Sequence, residues 1–554
     1  MKNTEQDPRQ FRAFPPAFLA LVLGAVLLRL GLSLGLPRVI HSDEPPNLLL
    51  GYNLLAGNGY TYSGYPELHF PPLHPIFAGL FYLLTRDFEM AGNFENAIFG
   101  GLLLLPVFAI ARRIYGLQTA WLATVLLAIF PPLTVNVLYW GGMSEPPYLV
   151  LLFVGLALLL AGLEDGRLGM FAAAGAFLGL AYLTREEAIA FFGMFSILAL
   201  VWLWKGVKSC TSRTWYALGL FALPFMLLAA PYIWYLHVHT GEWMISGKLN
   251  ISWNSGGDGD WGKSLDHLYH GLDSSGEEIN WLSRERFQSS VVERVLTNPG
   301  GLVHRVIQHG YSLKENFFNR INFWWVLSPL VVVGLFKQPW SRLRLRYEAF
   351  LITIIIVLML VFLPFGFLVR YFAPAYPVFL VWTAKGALEL GGWLRDTVEL
   401  WRGKSLPNLH LKAVLGWLPA VVATLILIMT IPVAADRSIR ATYFGDKEAG
   451  LWLKTHTPAD SNVMANDLAV ALYADRGWVP SPDTDWIRFM KYARVRRANY
   501  LVVRDSWLET YRPELASILH KGTPELELLF SFEEPNRPKS IRTLVYHFSM
   551  PSDE

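Results

Sequence analysis

Charged residues and cysteine are scarce in this chain. Only 16% of its 554 residues are charged, against about 25% in a typical soluble domain. Cys210 is the single cysteine, which excludes a disulfide framework. We find no defensible Walker, GxGxxG, CxxC or HExxH pattern, so neither a nucleotide nor a motif-bound metal is indicated. No nucleic-acid partner is expected.

The sequence contains many long runs of apolar residues. The chain is 53% hydrophobic, and runs of roughly 17–25 apolar residues are typical of membrane-spanning helices. Leu73–Leu84 is too short to span and predicts an interfacial or re-entrant helix. The sequence therefore predicts a mainly α, polytopic membrane protein. About eleven spans are predicted, at Phe14–Leu36, Asn93–Tyr115, Leu117–Pro131, Pro146–Gly162, Leu168–Leu183, Ala188–Trp204, Trp215–Leu236, Ile321–Phe336, Tyr347–Phe367, Tyr371–Leu390 and Leu411–Val433.

Basic residues are concentrated in alternate connections between these spans. With the N-terminus inside, the inner segments hold seventeen Lys and Arg residues and the short outer loops hold about four. Because inner loops are enriched in Lys and Arg, this bias sets the orientation. We expect a multi-pass protein of the cytoplasmic membrane with its N-terminus inside and everything after Val433 outside.

Two regions follow from this arrangement. Residues 1–434 form the predicted membrane domain, with outer loops at 37–92 and 237–320. Residues 435–554 predict a small outer α/β domain, with strands in NVMA, NYLVV, LELLFSF and IRTLVYHF. The segment ISWNSGGDGDWGKS in the second loop predicts a flexible, substrate-ordered stretch beside short helices that lie along the membrane.

Two adjacent carboxylates, Asp43 and Glu44, follow the first span directly. Acidic side chains near the hydrocarbon boundary are costly, so their presence indicates a function. One of them could serve as a general base, with a pKa raised by apolar surroundings. The alternative is a solvated pair at a helix end.

Several basic side chains on the same predicted side are candidates for binding a phosphate. Arg370 starts a helix as an isolated cation, and a guanidinium suits a phosphate, although a lipid-headgroup anchor is the alternative. Arg185 either grips phosphate or pairs with the acids that follow it. His69 and His74 could donate hydrogen bonds to phosphate, and a zinc site at their spacing is weakly indicated at best.

Four further residues are candidate substrate contacts. Glu145 opens a span on the outer side, where a carboxylate also suits a helix N-terminus. Tyr52, Tyr60 and Tyr371 lie near span ends or in the first loop, where aromatic residues often form an interfacial belt. No residue is assigned to a metal, and a divalent ion is left open.

The motifs, taken in order, resemble one known family. The DE pair, GNGY, PPLHP, SEPPY, YLTREEA and RYFAPAYP are similar to those of the polytopic GT-C glycosyltransferases. The most similar branch contains the protein O-mannosyltransferases and the lipid A aminoarabinose transferases. The resemblance implies that Asp43 is the catalytic or acceptor-binding acid and that Arg370 and Arg185 match family arginines. Glu186 stands where the family usually has proline.

The resemblance also implies the reaction. We expect transfer of a hexose or pentose, with inversion, from a polyprenyl-phosphate carrier to a glycan, lipid or protein acceptor at the outer face of the cytoplasmic membrane. Membrane lipids are the other expected partners, and no cofactor is implied with certainty. A transporter or flippase of lipid-linked sugars, a glycan polymerase or ligase, and an envelope scaffold remain as alternatives.

Overall fold

The structure is a computed structural model of the whole chain. It describes residues 14–62, 64–135, 141–206, 212–248, 270–279, 295–365, 369–403, 409–435, 444–534 and 541–549. The predicted flexible segment at 251–264 lies outside these residues.

Helices make up most of the described residues before residue 436. Prolines stand in the first turn of several of them, where the missing N–H is tolerated, and glycines with positive φ end others. The helices are α1 (Pro16–Gly35), α2 (Glu44–Leu55), α3 (Leu73–Thr85), α4 (Phe88–Leu102), α5 (Leu104–Tyr115), α6 (Leu117–Ala128), α7 (Glu145–Asp165), α8 (Leu168–Thr184), α9 (Ala188–Gly206), α10 (Ser212–Thr240), α11 (Pro299–Phe317), α12 (Ser328–Phe336), α13 (Arg342–Phe362), α14 (Ala375–Arg402) and α15 (Leu409–Ala434). Short 3-10 turns lie at Pro131–Leu133, Trp325–Leu327 and Val369–Phe372, and a two-stranded hairpin joins β1 (Thr61–Tyr62) to β2 (Tyr65–Pro66).

The predicted membrane-protein fold is confirmed. Within the described residues, six helices are long and apolar enough to cross a membrane: Pro16–Gly35, Phe88–Tyr115, Glu145–Asp165, Ser212–Thr240, Arg342–Phe362 and His410–Ala434. The other predicted spans overlap α6, α8, α9, α12 and α14. The helix in the span predicted from Ile321 is only nine residues long and begins at Ser328, and α14 begins at Ala375 and continues beyond Leu390 to Arg402. The span predicted from Asn93 begins earlier, at Phe88, because the Asp87 side chain accepts a hydrogen bond from the Met90 N–H and caps the helix.

Two helices have the character of interfacial elements. The predicted helix at Leu73–Leu84 is present as α3, and its 13 residues extend about 20 Å, too short to span. In the described part of the second loop, α11 is a helix of 19 residues, and the remaining short helices predicted there stay a prediction. Its Val303, Ile307 and Tyr311 are exposed at intervals of four residues, an apolar stripe that suits the membrane surface.

A small sheet domain follows the last long helix. Its strands are β3 (Asn462–Ala465), β4 (Gly477–Pro480), β5 (Tyr500–Arg504), β6 (Leu526–Glu533) and β7 (Arg542–Phe548), and its helices are α16 (Phe444–His456), α17 (Leu468–Ala474), α18 (Trp486–Val495), α19 (Asp505–Tyr511) and α20 (Pro513–Lys521). The strand order is β4-β3-β5-β7-β6, with the first three strands parallel and β7 antiparallel to both neighbours. The domain boundary after residue 434 stays a prediction, since residues 436–443 lie outside the described part.

This domain is docked directly on the first loop of the membrane part. Ala469 of α17 is buried against Ile40 and Leu48, and Leu468 packs with Leu50. The contact places the sheet domain beside Asp43, the residue around which the candidate site is built.

Candidate active site

Asp43 stands at the start of α2, where the chain turns sharply after α1. Ser42 adopts a left-handed conformation with φ +61°, which is uncommon for a residue other than glycine. The turn leaves the Asp43 side chain 36% exposed, and its Oδ2 accepts a hydrogen bond from Arg370 Nη2 at 2.5 Å. Arg370 comes from the 3-10 turn between α13 and α14. The structure therefore brings together a predicted acid and a predicted phosphate-binding residue.

Nearby positive charge keeps Asp43 ionised. Burial alone would raise the pKa of this carboxyl, but Arg370 and Lys248 hold the pKa well below its ordinary value. Asp43 is thus a charged, partly accessible carboxylate that is hydrogen-bonded to Arg370 through one oxygen.

A second acid links the two predicted arginines. Glu145 Oε1 lies 2.7 Å from Arg185 Nη1 and 3.8 Å from Arg370 Nε. Arg185 also pairs with Glu187, and Tyr371 stacks near both guanidinium groups, 5.5 Å from Arg185 and 5.4 Å from Arg370. The predicted pairing of Arg185 with a following acid is present in its contact with Glu187, and its phosphate contact stays a prediction.

Glu44 has a different environment from its neighbour. It is fully buried and forms a two-pronged ion pair with Arg38, at 2.7 and 2.8 Å. Its Oε1 also accepts from the Gly142 N–H at 2.7 Å, and Arg38 donates to Asn93 Oδ1 at 2.6 Å. These contacts hold the loop before α7 against α2 and α4. All the contacts described for Glu44 are with residues of the fold, and its side chain is not exposed to solvent.

The two predicted histidines have different surroundings. His69 lies near Asp43, and burial together with the charge of Lys248 lowers the pKa of its ring to about 3, so the ring is neutral. His74 is buried, and its Nε2 lies 3.3 Å from Glu95 Oε1. The contacts of His74 are therefore with Glu95 inside the helices, which leaves its predicted phosphate contact without support.

The two predicted loop tyrosines also occupy separate places. Tyr52 is exposed and makes edge-to-face contacts with Tyr82 and Phe88, with ring centroids 5.5 and 6.3 Å apart. Tyr60 donates its hydroxyl to the Phe70 carbonyl at 2.7 Å and so fixes the loop that carries His69. Tyr60 therefore stabilises the loop. Among the described residues, Tyr52 makes no contact with the groups around Asp43.

Three residues of this site were not predicted. Lys248 follows α10 and lies with its Nζ 4.9 Å from the centre of the Phe70 ring. Glu67 accepts from the backbone N–H groups of His69 and Phe70, at 2.5 and 3.1 Å. Arg38 supports Glu44. Only Arg38 had a sequence signal, as an isolated cation directly after the first span.

No metal cluster is evident among the residues that the structure describes. Within them, no group of three or more His, Cys, Asp or Glu side chains is placed to hold an ion. The chemistry that these side chains can perform is proton transfer at Asp43 and anion binding at Arg370.

One family of known proteins matches part of the sequence. A sequence model of the dolichyl-phosphate-mannose-protein mannosyltransferase family matches residues 69–235, a segment that contains Glu145 and Arg185 but neither Asp43 nor Arg370. No curated protein matches the chain.

Three solved structures share the fold over nearly the whole chain. ArnT from Cupriavidus metallidurans bound to undecaprenyl phosphate is 14% identical, with a TM-score of 0.53 and 96% of this chain and 98% of that chain covered. Its apo form is 13% identical, with a TM-score of 0.54 over 96% and 97% of the chains. The archaeal oligosaccharyltransferase AglB from Archaeoglobus fulgidus, in complex with an inhibitory peptide and a dolichol-phosphate, is 14% identical, with a TM-score of 0.51 over 96% and 74%. The resemblance seen in the sequence is thereby confirmed, and the chain has the membrane fold of the GT-C glycosyltransferases.

Proposed function

We propose that this protein transfers a sugar from a polyprenyl-phosphate carrier to an acceptor, with inversion at the anomeric carbon. The observation that carries the proposal is the ion pair between Asp43 and Arg370. It sets a proton acceptor directly beside an anion-binding group at one end of an apolar helix bundle. A lipid phosphate needs such an arrangement, since its chain lies among helices while its head group reacts at their end.

Asp43 and Arg370 have different roles in this reaction. The acceptor oxygen attacks the anomeric carbon as its proton passes to the Asp43 carboxylate, and the bond between that carbon and the phosphate oxygen breaks. The electron pair of the broken bond stays on the departing polyprenyl phosphate. Arg370 stabilises this growing negative charge, a role for which a guanidinium is well suited.

Donor binding would also activate the base. In the structure, Arg370 holds the pKa of Asp43 low, which makes the carboxylate a weak base. A phosphate that takes Arg370 as its partner removes this hydrogen bond and adds a second negative charge nearby. Both changes raise the pKa of Asp43 towards the range in which a general base works best.

We place this reaction at the outer face of the cytoplasmic membrane, with the N-terminus inside. The Lys and Arg bias of the connections supports that orientation. The acceptor would approach from the sheet domain, because Ala469 of this domain packs against Ile40, three residues before Asp43.

The test uses purified protein in nanodiscs with a panel of polyprenyl-phosphate sugars and candidate acceptors. We expect release of polyprenyl phosphate by the wild type, and none by Asp43→Asn, which should still bind donor. Asp87→Asn, a helix cap away from Arg370, is the control and should keep turnover. Release by Asp43→Asn at the wild-type rate would overturn the assignment of the base, and failure of every donor to bind would overturn the proposed reaction.

A further inference from the structure

The segment that follows α10 is fixed in place by a buried acid. Glu186, in the connection between α8 and α9, accepts a hydrogen bond from Ser246 Oγ at 2.9 Å and one from the Gly247 N–H at 3.3 Å. The Tyr182 hydroxyl donates to the Ile245 carbonyl at 2.7 Å. Three consecutive residues, 245–247, are therefore held by side chains from the end of α8 and the connection that follows it.

This segment is packed tightly on the loop that carries His69. A Cβ added to Gly247 would lie 1.7 Å from the Leu68 carbonyl oxygen, so the two backbones are in direct contact and only glycine fits. The next residue, Lys248, is half-buried, and its Nζ lies 4.9 Å from the centre of the Phe70 ring. The contact directs a lysine towards the site from a loop far away in the sequence.

The positive charges at the site differ in their partners. Arg370 is paired with Asp43, and Arg185 with Glu145 and Glu187. Lys248, by contrast, has no carboxylate within ion-pair distance in the described part of the chain. Its charge nevertheless acts on Asp43 and on His69. Lys248 therefore supplies positive charge near Asp43 without a carboxylate at ion-pair distance in the described part of the chain, although its charge also acts on Glu67 and Glu186.

We propose that Lys248 is a second cation for the phosphate of the lipid donor, acting together with Arg370, and that Glu186 is the positioning residue that holds Lys248 there. This inference rests on the proposed function. A lipid phosphate that approaches Asp43 is attracted by Lys248 while Arg370 is still occupied by Asp43. Arg370 then exchanges its carboxylate partner for the phosphate, and Lys248 offsets the charge that Asp43 and the phosphate bring together.

The experiment measures binding of undecaprenyl phosphate to the full-length protein in phosphatidylcholine nanodiscs. We expect Lys248→Met to weaken binding about tenfold, the size of one charged hydrogen bond, and to reduce its salt dependence. Lys248→Arg should stay within about threefold of wild type because it keeps the charge. Lys337→Met is the control, since this exposed lysine lies at the other end of α13 from Arg370 and should not affect binding.

The outcomes separate this inference from the proposed function. Equal binding by wild type and Lys248→Met would overturn the role of Lys248 and leave the proposed function standing. No binding to wild type would overturn both. Phosphatidic acid is a second probe, and if its binding depended equally on Lys248, the residue would be a general headgroup site and not a donor site.

Glu186 is tested through its coupling to Lys248. Glu186→Ala should weaken binding of undecaprenyl phosphate in the wild-type background and have little further effect in Lys248→Met, because the two residues act through one contact. Fully additive losses would show that Glu186 acts independently and would overturn its positioning role.

Discussion

Asp43 and Arg370 are separated by 327 residues in the chain and share a hydrogen bond of 2.5 Å. One stands at the turn after the first long helix, and the other in the short turn between α13 and α14. The contact joins the turn after α1 to the turn before α14. Because Arg370 is already paired with Asp43, an anion that binds Arg370 has to replace this carboxylate.

The first prediction concerns the shape of the cation at position 370. Arg370→Lys keeps the charge but loses the planar fork, which suits phosphate and carboxylate geometry. We expect polyprenyl-phosphate release to fall by about 100-fold, within the range found for removing one transition-state donor. The measurement is single-turnover release at saturating donor. A rate within threefold of wild type would show that only the charge of Arg370 matters.

The second prediction separates Glu44 from Asp43. Glu44→Ala leaves the guanidinium of Arg38 buried without its partner, and breaking a buried pair in this way costs about 3–5 kcal/mol. We expect a large drop in the melting temperature of the purified protein. Asp43→Asn is the control, because its half-exposed side chain can be replaced with little change in melting temperature. A stable but inactive Glu44→Ala would instead make Glu44 part of the chemistry.

The sequence carried enough information to predict the fold and to single out Asp43 and Arg370 as separate candidate site residues. Apolar runs and charge bias are properties of single segments, so spans such as Pro16–Gly35 can be read directly. Asp43 and Arg370 were found because a charged residue next to an apolar run is conspicuous. Strand β4 was missed because it is four residues long and ends in proline, which fits its position at the sheet edge.

Other parts of the site depend on contacts that no local pattern reveals. Glu44 and Asp43 are neighbours in sequence, yet their side chains have different partners. The buried contacts of Glu44 with Arg38 and Gly142 depend on packing that the local sequence does not show. Lys248 follows a long helix as an ordinary loop lysine. Its place beside Phe70 results from the buried contacts of Glu186, which are made between distant segments.

The third prediction tests the packing around Glu44. A Cβ on Gly92 would lie 2.2 Å from Glu44 Oε1, so Gly92→Ala must displace the carboxylate from Arg38. Overpacking of this kind destabilises by about 1–3 kcal/mol. Gly24→Ala is the matched control, since nothing lies within 4 Å of its added Cβ. We expect a lower melting temperature for the first variant and an unchanged or higher one for the second. Equal melting temperatures would contradict the tight contact.

The fourth prediction concerns the docking of the sheet domain. The Tyr473 hydroxyl donates to Glu89 Oε2 at 2.7 Å and accepts from the Ile40 N–H at 2.8 Å, and Lys447 pairs with the same Glu89 oxygen. Tyr473→Phe removes both hydrogen bonds, at a cost of about 1–3 kcal/mol. We expect faster hydrogen exchange in α17 and at Ile40, with unchanged protection in β6, far from the contact. Unchanged exchange at Ile40 would show that the Tyr473 hydroxyl does not contribute to docking.

The last prediction links pH to the contact that positions Lys248. Burial raises the pKa of Glu186 to about 7, although Lys248 and the hydrogen bond from Ser246 oppose this shift. The folded protein therefore holds a proton between about pH 4.5 and 7 that the unfolded chain releases, with an ordinary glutamate pKa of about 4.3. Stability then falls as the pH rises through this window, by up to about 1.4 kcal/mol per pH unit from this one group.

Glu186→Gln cannot release this proton, so its stability should fall less steeply with pH than that of the wild type. Apparent unfolding free energies in detergent, measured between pH 5 and 8, give the two slopes. Glu67 has the same raised pKa of about 7, and the charge of Glu186 is one of its causes, so the difference between the slopes reports Glu186 together with its effect on Glu67. Glu242→Gln, at an exposed glutamate after α10, is the control and should keep the wild-type slope. Parallel slopes for wild type and Glu186→Gln would mean that Glu186 is already ionised at pH 5 and holds the Ser246 segment as a carboxylate throughout.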